Sequence, residues 1–198
     1  MKGYTSATGD SMGGKVMKFT VYILFLLFSM CLFSTTYSKD GGPLKMNLTS
    51  QNFKNQEPIP PRHTCDSSDI SPALTWTNVP SETKSFALIV DDPDAPDPAN
   101  PRMTWVHWVL YNIPANIDRL AEGVKILPEG TLEGLNDWQQ TGYRGPCPPI
   151  GRHRYFHKLY ALDTVLPDLK KPTKAKLEKA MESHVLMKAE LVGTYQKK

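Results

Sequence analysis

Thr104-Trp105-Val106-His107-Trp108-Val109-Leu110-Tyr111 decides how this chain folds. The stretch is dense in β-branched and aromatic side chains and contains no glycine or proline, so it predicts a strand. Alternation places Trp105, His107 and Val109 on one face and Val106, Trp108 and Leu110 on the other. Both faces are apolar, as in a strand covered on both sides. His107 is the exception, and a histidine there needs a hydrogen-bond partner or must line a pocket. By itself it reads as a satisfied core histidine.

The same signals recur on either side. Leu44 to Ser50, Ala73 to Trp76, Ser85 to Val90 and Arg154 to Leu162 are strand-like, with Pro, Asp and Asn clusters between them. This pattern predicts a mostly β chain built as an antiparallel sandwich, not alternating β and α units. Trp76, Phe86, Leu88 and Val90 are assigned to the core. Gln56 to Pro61 is expected to be extended, because its prolines lack backbone donors. Helix is expected near the C-terminus, where Thr173 can cap Lys174 to Glu182 and Leu177, Ala180, Met181 and His184 share a face. Lys170, Lys171, Lys174, Lys176 and Lys179 are expected on its solvated surface.

Two further segments carry chemistry. Asp91-Asp92-Pro93-Asp94-Ala95-Pro96-Asp97-Pro98 follows the strand ending at Val90 and reads as a stiff loop displaying carboxylates. Its plain alternative is an acidic turn in solvent. In Pro148-Pro149-Ile150-Gly151-Arg152-His153-Arg154-Tyr155-Phe156-His157, strand parity puts His153, Tyr155 and His157 on one face and Arg154, Phe156 and Lys158 on the other. Gly145 to Pro149 ahead of it is a rigid, donor-poor turn, and Gly151 permits close approach.

Phe19 to Phe33 is an apolar run of roughly 15 residues, too short to cross a bilayer as a helix, with lysine in front and small residues behind. It reads as a signal peptide cleaved after Ser38, giving a leader over 1–38, a flexible lead-in over 39–45 and one domain over 46–198. The expectation is an exported protein, periplasmic or secreted, with no stable membrane span after cleavage. The leader takes Cys31 with it. Cys65 and Cys147 remain, either joined as one disulfide or buried as two thiols. The leader also takes three lysines and one aspartate, lowering the formal charge from +3 to +1, too balanced for a nucleic-acid binder.

Asp92-Pro93-Asp94-Ala95-Pro96, His107-Trp108, Gly151-Arg152-His153-Arg154-Tyr155 and Leu159-Tyr160, in this order, resemble the signature regions of the phosphatidylethanolamine-binding proteins, the family that includes the Raf kinase inhibitor proteins. His63-Thr64-Cys65-Asp66, Ile70 to Trp76 and Tyr143 to Pro149 are similar to bacterial members, so that the likeness spans Met46 to Tyr195. The resemblance implies a Greek-key sandwich of two antiparallel sheets with a few short helices and a small anion pocket. Asp92, His107, His153 and Tyr155 would line it, Asp94, Pro96 and Gly151 would shape its wall, and the turn bearing Pro148 and Pro149 would supply backbone. His157 stands where the family usually has Phe or Trp and would make the pocket floor more polar.

These residue types suit a phosphorylated head group. Tyr155, His107 and His153 offer donors, while Asp92 either orients an imidazole or takes the ammonium of a zwitterion such as phosphoethanolamine, the latter accounting better for the mixed chemistry. Binding is expected to weaken as pH rises through imidazole pKa values raised by a neighbouring carboxylate. No cofactor and no metal are expected. The alternatives are a hydrolase using the same His, Asp and Tyr, a metal site among His107, His153, His157, Asp92 and Asp94, and, from the resemblance alone, occlusion of a partner kinase or protease.

Overall fold

The computed structural model describes residues 45–197. The leader and signal-peptide readings, with Cys31, fall outside that range.

Two antiparallel sheets form the fold. The smaller has the order β1-β2-β5, from Asn47–Thr49 (β1), Leu74–Thr77 (β2) and Arg119–Leu120 (β5). The larger has the order β6-β4-β3-β7-β8, from Leu132–Glu133 (β6), Met103–Pro114 (β4), Ser85–Ala95 (β3), Arg152–Leu162 (β7) and Val185–Gln196 (β8). The main core fills the space between them: Leu48, Leu74, Trp76 and Leu120 face Phe86, Leu88, Val90, Trp108, Tyr155, Leu159 and Leu191. Trp76 keeps its indole N–H satisfied by donating to the Ile117 carbonyl at 3.0 Å.

On the outer face of the large sheet lies a second cluster. Ala87, Ile89, Val109 and Tyr111 pack there against Leu177 and Met181 of the helix α1, Lys174–Met181. Thr173 caps this helix, its hydroxyl accepting the Lys176 N–H. His184 lies beyond the helix end, paired with Asp163 at 2.8 Å. Strand β8 was not expected from the sequence, although Ala189 and Leu191 are buried at alternate positions. The extension expected over Gln56 to Pro61 is broken at both ends, by Gln56 with φ of 68 and by a 3-10 turn over Pro61–His63.

Three departures from strict strand alternation decide which side chains of β3 and β4 face inward. Val90 pairs with Trp108 and Asp91 with Val106, so β4 carries one extra residue at His107. The bulge turns Trp108 into the main core with Leu110 and leaves Val106 and Val109 outside, contrary to simple parity. A second irregularity lies between Asp92 and Ala95. A third is needed at buried Asn112, whose φ of 55 is held by a two-way hydrogen bond with the Leu166 backbone.

The acidic segment is not a loop. Asp91, Asp92 and Asp94 are buried inside β3, because its strand pairing runs on to Ala95 against Met103.

Candidate ligand pocket

At the ends of β3, β4 and β7 lies an open cavity of about 410 Å³. It is lined by Asp92, His107, His153 and Tyr155, by Trp105 and Trp138, and by Pro96, Pro148 and Pro149, among others. The pleat brings the polar set together, since Asp92 on β3 and His153 and Tyr155 on β7 all point inward.

The histidines differ. Both ring nitrogens of His153 face acceptors: Nδ1 lies 2.7 Å from Asp92 Oδ2, and Nε2 lies 2.9 Å from the Ile150 carbonyl. Asp92 and the Ile150 carbonyl thus engage both ring nitrogens and fix the orientation of the ring. The other oxygen of Asp92 accepts the Asp94 N–H at 2.8 Å. This pair is satisfied from within.

His107 is half satisfied. Its Nδ1–H donates to the Arg144 carbonyl at 2.7 Å, and the Arg144 N–H returns a bond to the His107 carbonyl at 3.2 Å. Nε2 is buried and has no partner among the described residues. Burial pulls the ring's pKa below the ordinary histidine value, outweighing the Arg144 carbonyl and the carboxylates of Asp92, Asp69 and Asp91. The expected rise is thus reversed, because desolvation dominates. The Tyr155 hydroxyl is likewise buried without a partner. Burial first, and the charge of Asp92 second, push its pKa upward, so it remains a neutral donor.

Aromatic rings continue the wall. Trp105 meets Trp138 edge to face at 5.4 Å, Trp138 meets His107 at 5.2 Å, and His107 meets Tyr155 at 5.2 Å. Sequence reasoning missed Trp138. It sits in a loop organised by Asn136, whose side chain accepts the N–H groups of Trp138 and Gln140 and donates to the Gly142 carbonyl. Neighbouring Asp137 ties that loop to Val106 on β4. No local pattern in the sequence announces this arrangement. Met103 and Ala95, also on the lining, were not singled out either.

Opposite stand Cys147, Pro148 and Pro149. Cys147 is joined to Cys65 by a disulfide with its Cα atoms 5.4 Å apart. Gly145 in the same turn cannot carry a side chain, since a Cβ would sit 2.1 Å from the His63 carbonyl.

Three expected wall residues lie elsewhere. Asp94 is turned to the outer face by the irregularity between Asp92 and Ala95 and forms a two-point ion pair with Arg154, at 2.6 and 2.9 Å. That pair holds its carboxyl below the usual carboxylate range. Gly151, with φ of 71, packs against Pro98 and is not on the cavity lining. His157 does point inward, but two residues deeper than Tyr155, into the core beside Phe53 at 5.5 Å. Neither of its nitrogens has a partner among the described residues, and burial pushes its pKa down to about 4. Its distance from the cavity removes the expected effect on the pocket floor.

Among the described residues, no three His, Cys, Asp or Glu side chains converge to hold a metal ion. None of the described helices is long and apolar enough to cross a membrane. Lys174, expected in solvent, instead bonds buried Asp91 at 2.6 Å together with Lys158.

The phosphatidylethanolamine-binding protein profile matches residues 49–196, and the chain belongs to that family. A UPF0098 protein of Methanothermobacter thermautotrophicus is 50% identical over 155 residues, covering 77% of this chain and 99% of that one. Among solved structures, a phosphatidylethanolamine-binding protein homolog from Chlamydia trachomatis is 44% identical with a TM-score of 0.72, and E. coli YbcL is 32% identical with a TM-score of 0.71. Each covers 78% of this chain and 99% of its own.

Proposed function

We propose that this protein binds a small phosphorylated head group in the cavity between Tyr155, His107 and the tryptophans. One observation carries the reading: two buried polar atoms, the Tyr155 hydroxyl and His107 Nε2, lack partners on the cavity lining. Leaving such groups unpaired costs about 1–3 kcal/mol each, which a ligand oxygen placed between them recovers. Both oxygens of Asp92 are already engaged, one by His153 and one by the Asp94 N–H, which leaves neither free for an ammonium. Asp92 therefore acts by orienting His153, in place of the ammonium-binding role expected of it. The ammonium of a zwitterion meets Trp105 and Trp138 instead. Membership of a family named for phosphatidylethanolamine binding supports the same class of ligand.

Binding, not hydrolysis, fits the lining. It includes no serine or threonine, its one cysteine is in a disulfide, and its phenol is made less acidic by burial. The disulfide also supports residence in an oxidising compartment, in keeping with the exported reading of the leader.

Isothermal titration with phosphate, phosphoethanolamine and phosphocholine tests the proposal. Saturable binding that His107→Ala weakens is expected. Absence of binding to all three ends it.

A further inference from the structure

The cavity wall formed by Cys147, Pro148 and Pro149 is held in an unusual way. Pro146, Pro148 and Pro149 have no N–H to donate, so backbone hydrogen bonds can anchor little of it. Ahead of the wall, Gly145 N–H donates to Asp69 at 2.7 Å and Cys65 N–H to the Pro146 carbonyl at 3.1 Å. Behind it, the Ile150 carbonyl accepts from His153. Between these points the tie is covalent, the Cys65–Cys147 disulfide. Both cysteines are exposed, so a thiol can reach the bond from solvent. The same short segment controls His107, whose ring is held by the Arg144 carbonyl three residues before Cys147.

The charges around the two sulfurs are opposite. Lys197 Nζ lies 3.9 Å from Cys147 Sγ, whereas Asp66 Oδ1 lies 4.0 Å from Cys65 Sγ. A cation stabilises a departing thiolate and an anion disfavours one, so Cys147 is the better leaving group.

We propose that the Cys65–Cys147 disulfide is a reversible redox-modification site for a dithiol reductant, and that its state sets the ligand affinity of the pocket. The second half rests on the head-group reading above. A thiolate of the reductant attacks Cys65 Sγ. The S–S bond breaks, and its electron pair leaves on Cys147 Sγ beside Lys197. The reductant's second thiolate then displaces Cys65 from the mixed disulfide and closes the reductant's own disulfide. Two electrons pass to the protein, and the dithiol's two protons end on Cys65 and Cys147. With the cross-link gone, the wall loses its fixed position against Tyr155 and Trp138. Ligand binding must then order it again, which weakens binding by about threefold to tenfold.

Three measurements on the full chain test this, each with circular dichroism to show that the reduced protein stays folded. Hydrogen exchange over Tyr143 to Ile150 is expected to speed up on reduction with dithiothreitol and in Cys65→Ser, which frees the wall without changing a lining residue. Phosphoethanolamine titrations are expected to show the affinity loss in both, reversed on reoxidation of the wild type. A monothiol is expected to leave its adduct on Cys65, with Lys197→Gln slowing the reaction. Unchanged exchange in folded, reduced protein overturns the proposal, as does equal affinity in the two redox states. If the oxidised protein binds no phosphoethanolamine, the head-group reading fails, and the exchange result alone decides whether the disulfide controls the wall.

Discussion

Asp91 and Asp92 follow each other on β3, and the pleat sends them to opposite faces of the large sheet. Asp91 faces outward, fully buried, and binds Lys158 and Lys174 at 2.6 Å each. Lys158 also lies 5.3 Å, and Arg154 5.6 Å, from the centre of the Phe156 ring. That surface is closed: its carboxylates are neutralised, and one lysine comes from α1, so the cluster fastens helix to sheet. Asp92 faces inward and holds the His153 ring at the edge of a cavity where a phenol and a second imidazole lack partners among the described residues. Similar side chains thus serve two ends. Complete pairing makes a structural clasp, and incomplete pairing leaves the polar atoms on which the proposed head-group site rests.

Four perturbations separate the two faces. The largest effect is expected from Asp91→Ala, which removes the counter-charge of Lys158 and leaves Lys174 beside it with only the more distant Glu178, 3.8 Å away. Urea denaturation should show a loss near the lower end of roughly 3–5 kcal/mol, because the lysine ammonium groups can still reach water. Head-group affinity should stay unchanged, and a parallel loss of affinity would mean that the faces are coupled.

His157 gives the next effect, on the inner face but beyond the pocket. Its folded pKa of about 4 lies below the ordinary histidine value of 6.5. As pH falls below the unfolded value, the unfolded chain takes up a proton that the folded protein refuses. Stability therefore declines from about pH 6.5 down to about pH 4 and then levels, by on the order of 3 kcal/mol from this residue. His157→Phe should remove that decline, seen as a flatter plot of melting temperature against pH. An identical plot for the variant would show that the ring finds a partner on protonation.

Tyr155→Phe is expected to act on binding alone. Losing one hydrogen bond to a charged ligand costs about 1.5–3 kcal/mol of affinity, while removing a buried, unpaired hydroxyl leaves stability unchanged or slightly higher. A stability loss of that size would show the hydroxyl to be paired in the free protein.

The smallest effect is a slope. Free His107 is neutral near pH 7, and a phosphate dianion can approach its bare Nε2 only with a proton between them. Each complex thus takes up one proton. Affinity should weaken by up to about tenfold per pH unit above the phosphate's second pKa of about 6. A flat profile between pH 7 and 8 would remove His107 from contact with the phosphate.

Much of this was legible in the sequence. The strand character of Ser85 to Val90, Thr104 to Tyr111 and Arg154 to Leu162 follows from side-chain shape and alternation, which act over neighbouring residues. So did the inward parity of His153 and Tyr155, and the cap at Thr173. Alternation fails where a bulge intervenes at His107, because one inserted residue reverses every face beyond it, and a second irregularity lies between Asp92 and Ala95. That is why Val106 does not share a face with Trp108 and Leu110, nor His107 with Val109, and why Asp94, which the family resemblance places on the pocket wall, points outward. Asp91 to Ala95 looked like a loop because Asp and Pro are usual turn residues, yet pairing with β4 and β7 overrode that preference. Trp138 was invisible because its loop is placed by hydrogen bonds to distant backbone.

By itself, then, the sequence determined the β class, the family and the four polar residues gathered at one mouth, since periodicity and ordered motifs are written along the chain. Tertiary structure decided which of those residues are free. His153 is consumed by Asp92 and the Ile150 carbonyl, His107 keeps one bare nitrogen, and His157 is sealed in the core. Partner, burial and protonation depend on groups far away in the chain, and only folding brings those together.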